Sequence, residues 1–212
     1  MEPVDLALIL ALDGSASVTF DEFNLMADGC AAALRDAEVV AGLTGGALGA
    51  SLGALLLWSG TGAQDVIVPW TRLDSPAAVA AFAQAVEDTP RSVPAGETAI
   101  GEALLAAIRL LVAAPGASRR QVIDMVGDGR SNEGVAPGPI RDRLVEAGAT
   151  INGLCVLHEE PDLVASYTAE VIGGPGAFAL QCQDYNGFAA AMQQKLEREI
   201  AAVRVNRRVR RA

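Results

Sequence analysis

The stretch LILALDGSASVTFDEF, Leu8–Phe23, decides how the rest of the chain is read. A continuous apolar run ends on Asp13, serines follow at alternate positions 15 and 17, and Thr19 with Glu22 has the T-x-x-E spacing of a capping box. An unbroken apolar run of this length suits a strand covered on both faces. Strand, polar turn and helix in that order begin an α/β unit. Within the turn, D-x-S-x-S sends one carboxylate and two hydroxyls to the same side, because residues two apart project together in extended backbone. Taken alone, the turn could equally be a helix cap, a role that Ser and Asp favour.

The same alternation recurs outward from this segment. Further strands are expected over Ser51–Ser59, Asp65–Trp70, Arg119–Val126, Thr150–Leu157 and Gly176–Cys182, after a first strand over Val4–Leu12. Pro69 marks the second of these as an edge. Helices are expected from Thr19 to about Asp36, from Ser75-Pro76 to about Val86, from Thr98 to Leu111, over about Pro139–Glu146, near Asp162–Val171 and over Asn186–Val203. The Gly-rich AGLTGGALGA, Ala41–Ala50, lacks phosphate-loop and dinucleotide-binding spacing and reads as a turn. The simplest fold is a three-layer α/β architecture: an open, mostly parallel sheet flanked by helices, with one short antiparallel edge strand. One domain over 1–203 and a frayed basic tail over 204–212 are expected.

Composition bounds the function. Of 212 residues 51% are hydrophobic and only 4% aromatic, so Ala, Leu and Val must build the core. The net charge is −10, yet the tail RVNRRVRRA carries five bases and no acid, leaving the body with 26 acids against 11 bases. Such a body disfavours nucleic acid and anionic membrane and suits cations. The apolar runs are too short to cross a bilayer, and the early start of the first strand leaves no leader expected within this sequence. Cys30 falls on the apolar face of its helix. Cys155 and Cys182 sit in the last two expected strands, as two buried thiols or, in an oxidising compartment, as a pair.

In an open α/β sheet, ligands bind beyond the carboxyl ends of the strands, where strand order reverses. Asp13 ends one strand, and Asp128 follows another in GDGRSNEG, so the two are expected to converge. The cluster offers oxygen ligands only, which hard divalent cations prefer. One loop cannot complete six positions; Thr98 from a second loop and Asp128 from a third add to Asp13, Ser15 and Ser17. Two aspartates against one divalent ion leave the site nearly neutral and open to one more anionic ligand.

The segments DGSAS, GETAIGEAL and IDMVGDGRSN resemble the von Willebrand factor A domain and its metal-ion-dependent adhesion site. The resemblance spans about Val4 to Val203 and implies Asp13, Ser15, Ser17, Thr98 and Asp128 as ligands of Mg²⁺ or Mn²⁺. It further implies binding and no catalysis, with an acidic protein or peptide supplying a carboxylate to the metal, and a C-terminal helix that shifts with the metal loops. LLLWSG, IDMVGDGRSNEG, INGLCVL, GGPGAF and FAAAMQQKLEREI look like an uncharacterised bacterial family of single-domain A-like proteins. That likeness implies a periplasmic or extracellular protein whose leader is absent from this chain, with a cytoplasmic location as the alternative. A regulatory subunit docking on an ATP-driven machine is the second functional reading. A metal-dependent phosphatase or other hydrolase is the third; it lacks a second acid two residues after Asp13, where Ser15 stands. No G-x-S-x-G elbow is present for serine catalysis.

Arg130 and Asn132 beside Asp128, and Glu97 beside Thr98, are candidates for touching a partner; a polar turn and a solvated loop explain them as well. His158, the single histidine, is expected in a solvated loop. Asp124 lies inside an apolar strand, so partners are expected there, from backbone or arginine, instead of a second metal.

Overall fold

The computed structural model describes residues 2–158 and 160–208, with the side chains of 201–208 excepted. Six strands form one sheet in the order β3-β2-β1-β4-β5-β6. They are β1 (Leu6–Asp13), β2 (Ser51–Trp58), β3 (Gln64–Leu73), β4 (Gln121–Gly127), β5 (Ala149–Val156) and β6 (Ala179–Cys182). All neighbours pair in parallel except β2 and β3, which are antiparallel. β3 is the expected edge strand, but it is longer than Asp65–Trp70, and its register slips twice against β2. Pro69 lies at one slip, where a missing N–H costs no ladder bond.

The helices divide between the two faces. α1 (Phe20–Arg35), α2 (Ala37–Thr44), α3 (Pro76–Glu87) and α7 (Phe188–Arg208) cover one face, packing on Leu8, Leu10, Leu12, Leu55, Leu57 and Leu154. α4 (Ile100–Val112), α5 (Pro137–Glu146) and α6 (Leu163–Ser166) cover the other, packing on Ile9, Ala11, Leu56, Trp58, Ile123 and Ile151. α6 continues as one π-helical turn over Tyr167–Val171. The strict division of odd and even strand positions is the period-2 pleat expressed in burial.

Local signals explain the helix starts. Thr19 and Glu22 form the expected reciprocal box at α1, and Ser75 accepts from Ala78 N at α3 with Pro76 as its first residue. α2 corrects the expected turn over Ala41–Ala50: its last four residues, Ala41–Thr44, are helical, and the turn itself covers 45–49. Asp36 starts α2 by accepting from Glu38 N and Val39 N. α7 extends to Arg208, past the expected end at Val203; residues 209–212 of the basic tail lie outside the described residues.

The three cysteines are free and buried. Cys155 belongs to the core under α4–α6 and Cys182 to the core under α1 and α7. The two thiols therefore leave opposite faces of the sheet, which excludes the disulfide. Asp124 is buried as expected, but its partner is neither backbone nor arginine: it contacts the ammonium of Lys195 on α7.

Strand order reverses at β1, whose neighbours β2 and β4 lie on either side. The carboxyl ends of β1 and β4 thus border the crevice where a ligand site is expected.

Candidate metal centre

Asp13 is the last residue of β1 and Asp128 follows the last residue of β4, so the sheet itself brings both carboxylates to one rim. Asp13, Ser15 and Thr98 are buried, and Asp128 is fully buried. Asp13 Oδ1 accepts from Ser15 N at 2.7 Å, which turns the chain immediately after the strand. Ser15 Oγ and Ser17 Oγ are 3.1 Å apart, and Ser17 Oγ donates to Asp128 Oδ1 at 2.7 Å. This chain of contacts joins the first loop to the third.

The second loop is tied to the first by Ala16 N donating to Gly96 O at 2.8 Å. Ala99 N donates to Ser59 O at 3.1 Å and Ser59 Oγ to Pro94 O at 2.6 Å, which hold the loop to the end of β2. Thr98 then faces the third loop: a Cβ placed on Gly129 would lie 3.6 Å from Thr98 Oγ1. The structure therefore joins Asp13, Ser15, Ser17 and Asp128 by direct contacts at the rim, with Thr98 facing the residue after Asp128.

The electrostatics are those of a site short of positive charge. Burial pushes the Asp13 carboxyl from its ordinary 3.8 up to about 7, and the charge of Asp128 adds to the rise. Burial also raises Asp128, opposed by the hydroxyls of Ser17 and Tyr185. Asp13 Oδ2 is buried with no hydrogen-bond partner, and so is the neighbouring Tyr167 hydroxyl. A Cβ on Gly127 would come within 2.9 Å of Asp13 Oδ2 and 2.8 Å of Tyr167 Oη, so only glycine leaves this space open. A buried carboxylate oxygen without a partner is costly. Oxygen-only donors, two carboxylates and that unsatisfied atom fit a hard divalent cation. Among the described residues no group of three or more His, Cys, Asp or Glu could hold a metal; the rim cluster instead combines two carboxylates with hydroxyls.

Residues beyond the five candidate ligands shape the site. Tyr185, just before α7, donates from its hydroxyl to Asp128 Oδ2 at 3.1 Å. Arg91 donates to the carbonyls of Gly14 at 2.9 Å and Ser15 at 2.7 Å, clamping the first loop. Asn132 is turned inward to the loops: Thr98 N donates to its Oδ1 at 2.8 Å, its N–H donates to Thr98 O at 3.0 Å, and its Nδ2 donates to Glu97 Oε2 at 2.6 Å. Arg130 pairs with Glu160 at 2.7 Å. Arg130, Asn132 and Glu97 thus have partners within the chain, while all three remain exposed. His158 is about half exposed, 4.0 Å from Glu22.

Solved structures share this fold. The proximal thread matrix protein 1 of the mussel byssus, in a form with a zinc-occupied MIDAS motif, is 15% identical with a TM-score of 0.66. That match covers 93% of this chain and 48% of the mussel protein, so the chain spans about half its length. A von Willebrand factor type A protein of Catenulispora acidiphila is 19% identical with a TM-score of 0.60, over 93% of this chain and 43% of that one. The vWF domain of the type V pili tip protein Mfa5 of Porphyromonas gingivalis is 10% identical with a TM-score of 0.62, over 94% and 96%. The fold is therefore that of von Willebrand factor A domains. No curated protein matches the sequence. The model of a family described as "Protein of unknown function (DUF1194)" matches residues 3–204.

Proposed function

Because the chain belongs to the DUF1194 family, whose function is unknown, we propose its role from its own site: a divalent-metal-dependent binding module for an acidic protein or peptide. Asp13, Ser15, Ser17, Thr98 and Asp128 would hold Mg²⁺ or Mn²⁺, directly or through water. The observation that carries this reading is Asp13 Oδ2, buried without a partner beside a second buried carboxylate. A bound cation would satisfy that oxygen, offset the repulsion between the two aspartates and offer a Lewis-acid position to a foreign carboxylate. The protein's own part is to hold the donors still. Ser15 N fixes Asp13, Ser17 and Tyr185 fix Asp128, and Asn132 fixes the loop of Thr98.

Binding without turnover is the favoured reading, since the hydroxyls of Ser15 and Ser17 and the carboxylates of Asp13 and Asp128 form one oxygen-donor cluster suited to a cation. The solved neighbours include a thread matrix protein and a pilus tip protein, which supports an adhesive role outside the cytoplasm for this chain as well. Among the described residues no helix is long and apolar enough to cross a membrane.

A melt decides the metal site. With Mn²⁺ at about 100 times its dissociation constant, stability should rise by about 2.7 kcal/mol. For a chain of this size that is roughly 5–10 °C in Tm. Asp13→Ala and Asp128→Ala should each abolish the shift. No shift in parent protein verified as metal-free would overturn the site. An acidic peptide array probed with and without Mn²⁺ then tests the partner, with metal-dependent capture of acidic sequences as the expected result.

A further inference from the structure

Beneath α7, away from the rim, lies a second cluster of charge that the metal site does not use. Lys195 and Asp124 are completely buried, and Glu199 and Asn152 nearly so. Lys195 Nζ contacts the Asp124 carboxylate and lies 2.7 Å from Glu199 Oε1, one helical turn along. Asn152, paired with Asp124 across β4 and β5, donates from Nδ2 to Glu199 Oε1 at 2.8 Å and accepts from Phe178 N at 3.1 Å. The Phe178 ring lies 6.0 Å from Nζ and closes the cluster on one side.

We infer that Lys195 and Asp124 are the reacting pair of a self-formed isopeptide bond, an amide joining α7 to β4, with Glu199 as the proton carrier. The charges point this way. One ammonium between two buried carboxylates leaves a surplus negative charge, which a dry interior does not tolerate unless a proton is taken up. Burial and the charge of Glu199 raise Asp124 well above the ordinary carboxylate range. Arg120 is close enough for its charge to act on Glu199, and its Nη1 donates to Glu199 O at 3.0 Å. Asp124 is therefore the carboxyl that takes up the proton, while Glu199 Oε1 accepts from both Lys195 Nζ and Asn152 Nδ2. The Lys195 ammonium touches the Asp124 carboxyl, and Glu199 lies beside both. Burial opposes the charge on Lys195, but Asp124 and Glu199 beside it outweigh burial and keep the ammonium above its ordinary value, so the free amine arises only by transfer to Glu199 within the cluster.

The step balances without oxidant or cofactor. Glu199 takes a proton from the Lys195 ammonium, and the freed lone pair attacks Asp124 Cγ to form the Nζ–Cγ bond. The bond from Cγ to the Asp124 hydroxyl breaks, and that hydroxyl leaves as water with a proton returned through Glu199. The amide keeps one hydrogen, and the last proton rests on Glu199. Rigid contact of the reactants replaces a collision in solution, and converting ions to a neutral amide removes charge from the core.

Intact and peptide mass spectrometry of the folded full chain tests this. The intact mass should fall short of the sequence mass by one water. Trypsin should fail to cut after Lys195, giving Gln121–Arg130 covalently joined to Leu144–Arg198. Glu199→Gln and Lys195→Met should restore the full mass and separate peptides, with circular dichroism showing that each variant folds. A full mass in the parent protein overturns the inference. So does a one-water deficit with normal cleavage after Lys195, which would be a succinimide at an Asp-Gly step such as Asp13-Gly14. Loss of ammonia in place of water would assign the bond to Asn152 and overturn Asp124 as the partner.

Discussion

Asp13 carries most of what is specific about the rim. Its carboxyl is raised to about 7 by burial first and by Asp128 second, so folding favours its protonated form. The sign follows: its contribution to stability is fully present below about pH 4 and is lost as pH rises through about 7. Metal-free parent protein should therefore lose stability from pH 5 to pH 8 relative to Asp13→Asn, by a few kcal/mol as an order of magnitude. Urea melts of both proteins in chelator at several pH values measure the difference, and parallel curves would count against a buried, unpaired carboxyl. Gly127 makes the complementary case. Its replacement by Ala brings a methyl against Asp13 Oδ2 and Tyr167 Oη, both under 3.0 Å from it. Gly127→Ala should cost about 1–3 kcal/mol as an overpacked site and weaken Mn²⁺ binding, read from the same melts with and without metal.

At the scale of elements, α7 meets α1 across glycine. A Cβ on Gly29 would lie 2.6 Å from Phe188 Cδ1 and 3.2 Å from the Ala189 Cα, so the two helices approach too closely for any side chain. Alanine gains about 1 kcal/mol in helix propensity, but the backbone contact forces the helices apart. Gly29→Ala should be destabilising overall by about 1–2 kcal/mol, seen as a lower urea midpoint. Similar logic explains what the sequence hid. α2 was obscured because Gly42 and the glycines after it read as a turn, whereas Gly42 is there to admit Ile200 of α7: a Cβ would overlap Ile200 Cγ2. The starts of α1 and α3 were legible because T-x-x-E and Ser-Pro satisfy orphan helix N–H groups locally. The partner of Asp124 was not, since Lys195 lies in an amphipathic helical pattern where a lysine ordinarily faces water.

For the molecule as a whole, the rim was legible because strand-ending aspartates and a parallel sheet dictate where Asp13 and Asp128 meet. Arg91, Tyr185 and the inward turn of Asn132 were not, because each reaches the site through tertiary contacts between positions far apart in sequence. The global charge adds a constraint that no single contact shows. The chain carries −10, and Glu22, Glu97 and Glu160 stand on or beside the loops that frame the site. An acidic ligand must approach through a repulsive field and is attracted only close to a bound cation. The field is screened by salt, with a Debye length of about 30 Å at 0.01 M and about 8 Å at 0.15 M. At saturating Mn²⁺, association of an acidic peptide should therefore quicken several-fold between those salt concentrations, while dissociation changes less. A basic partner would behave in the opposite way, its association slowing as salt screens the attraction. Stopped-flow association rates over that salt range separate the two, and a rate that falls with salt would rule against an acidic partner even if the metal site stands.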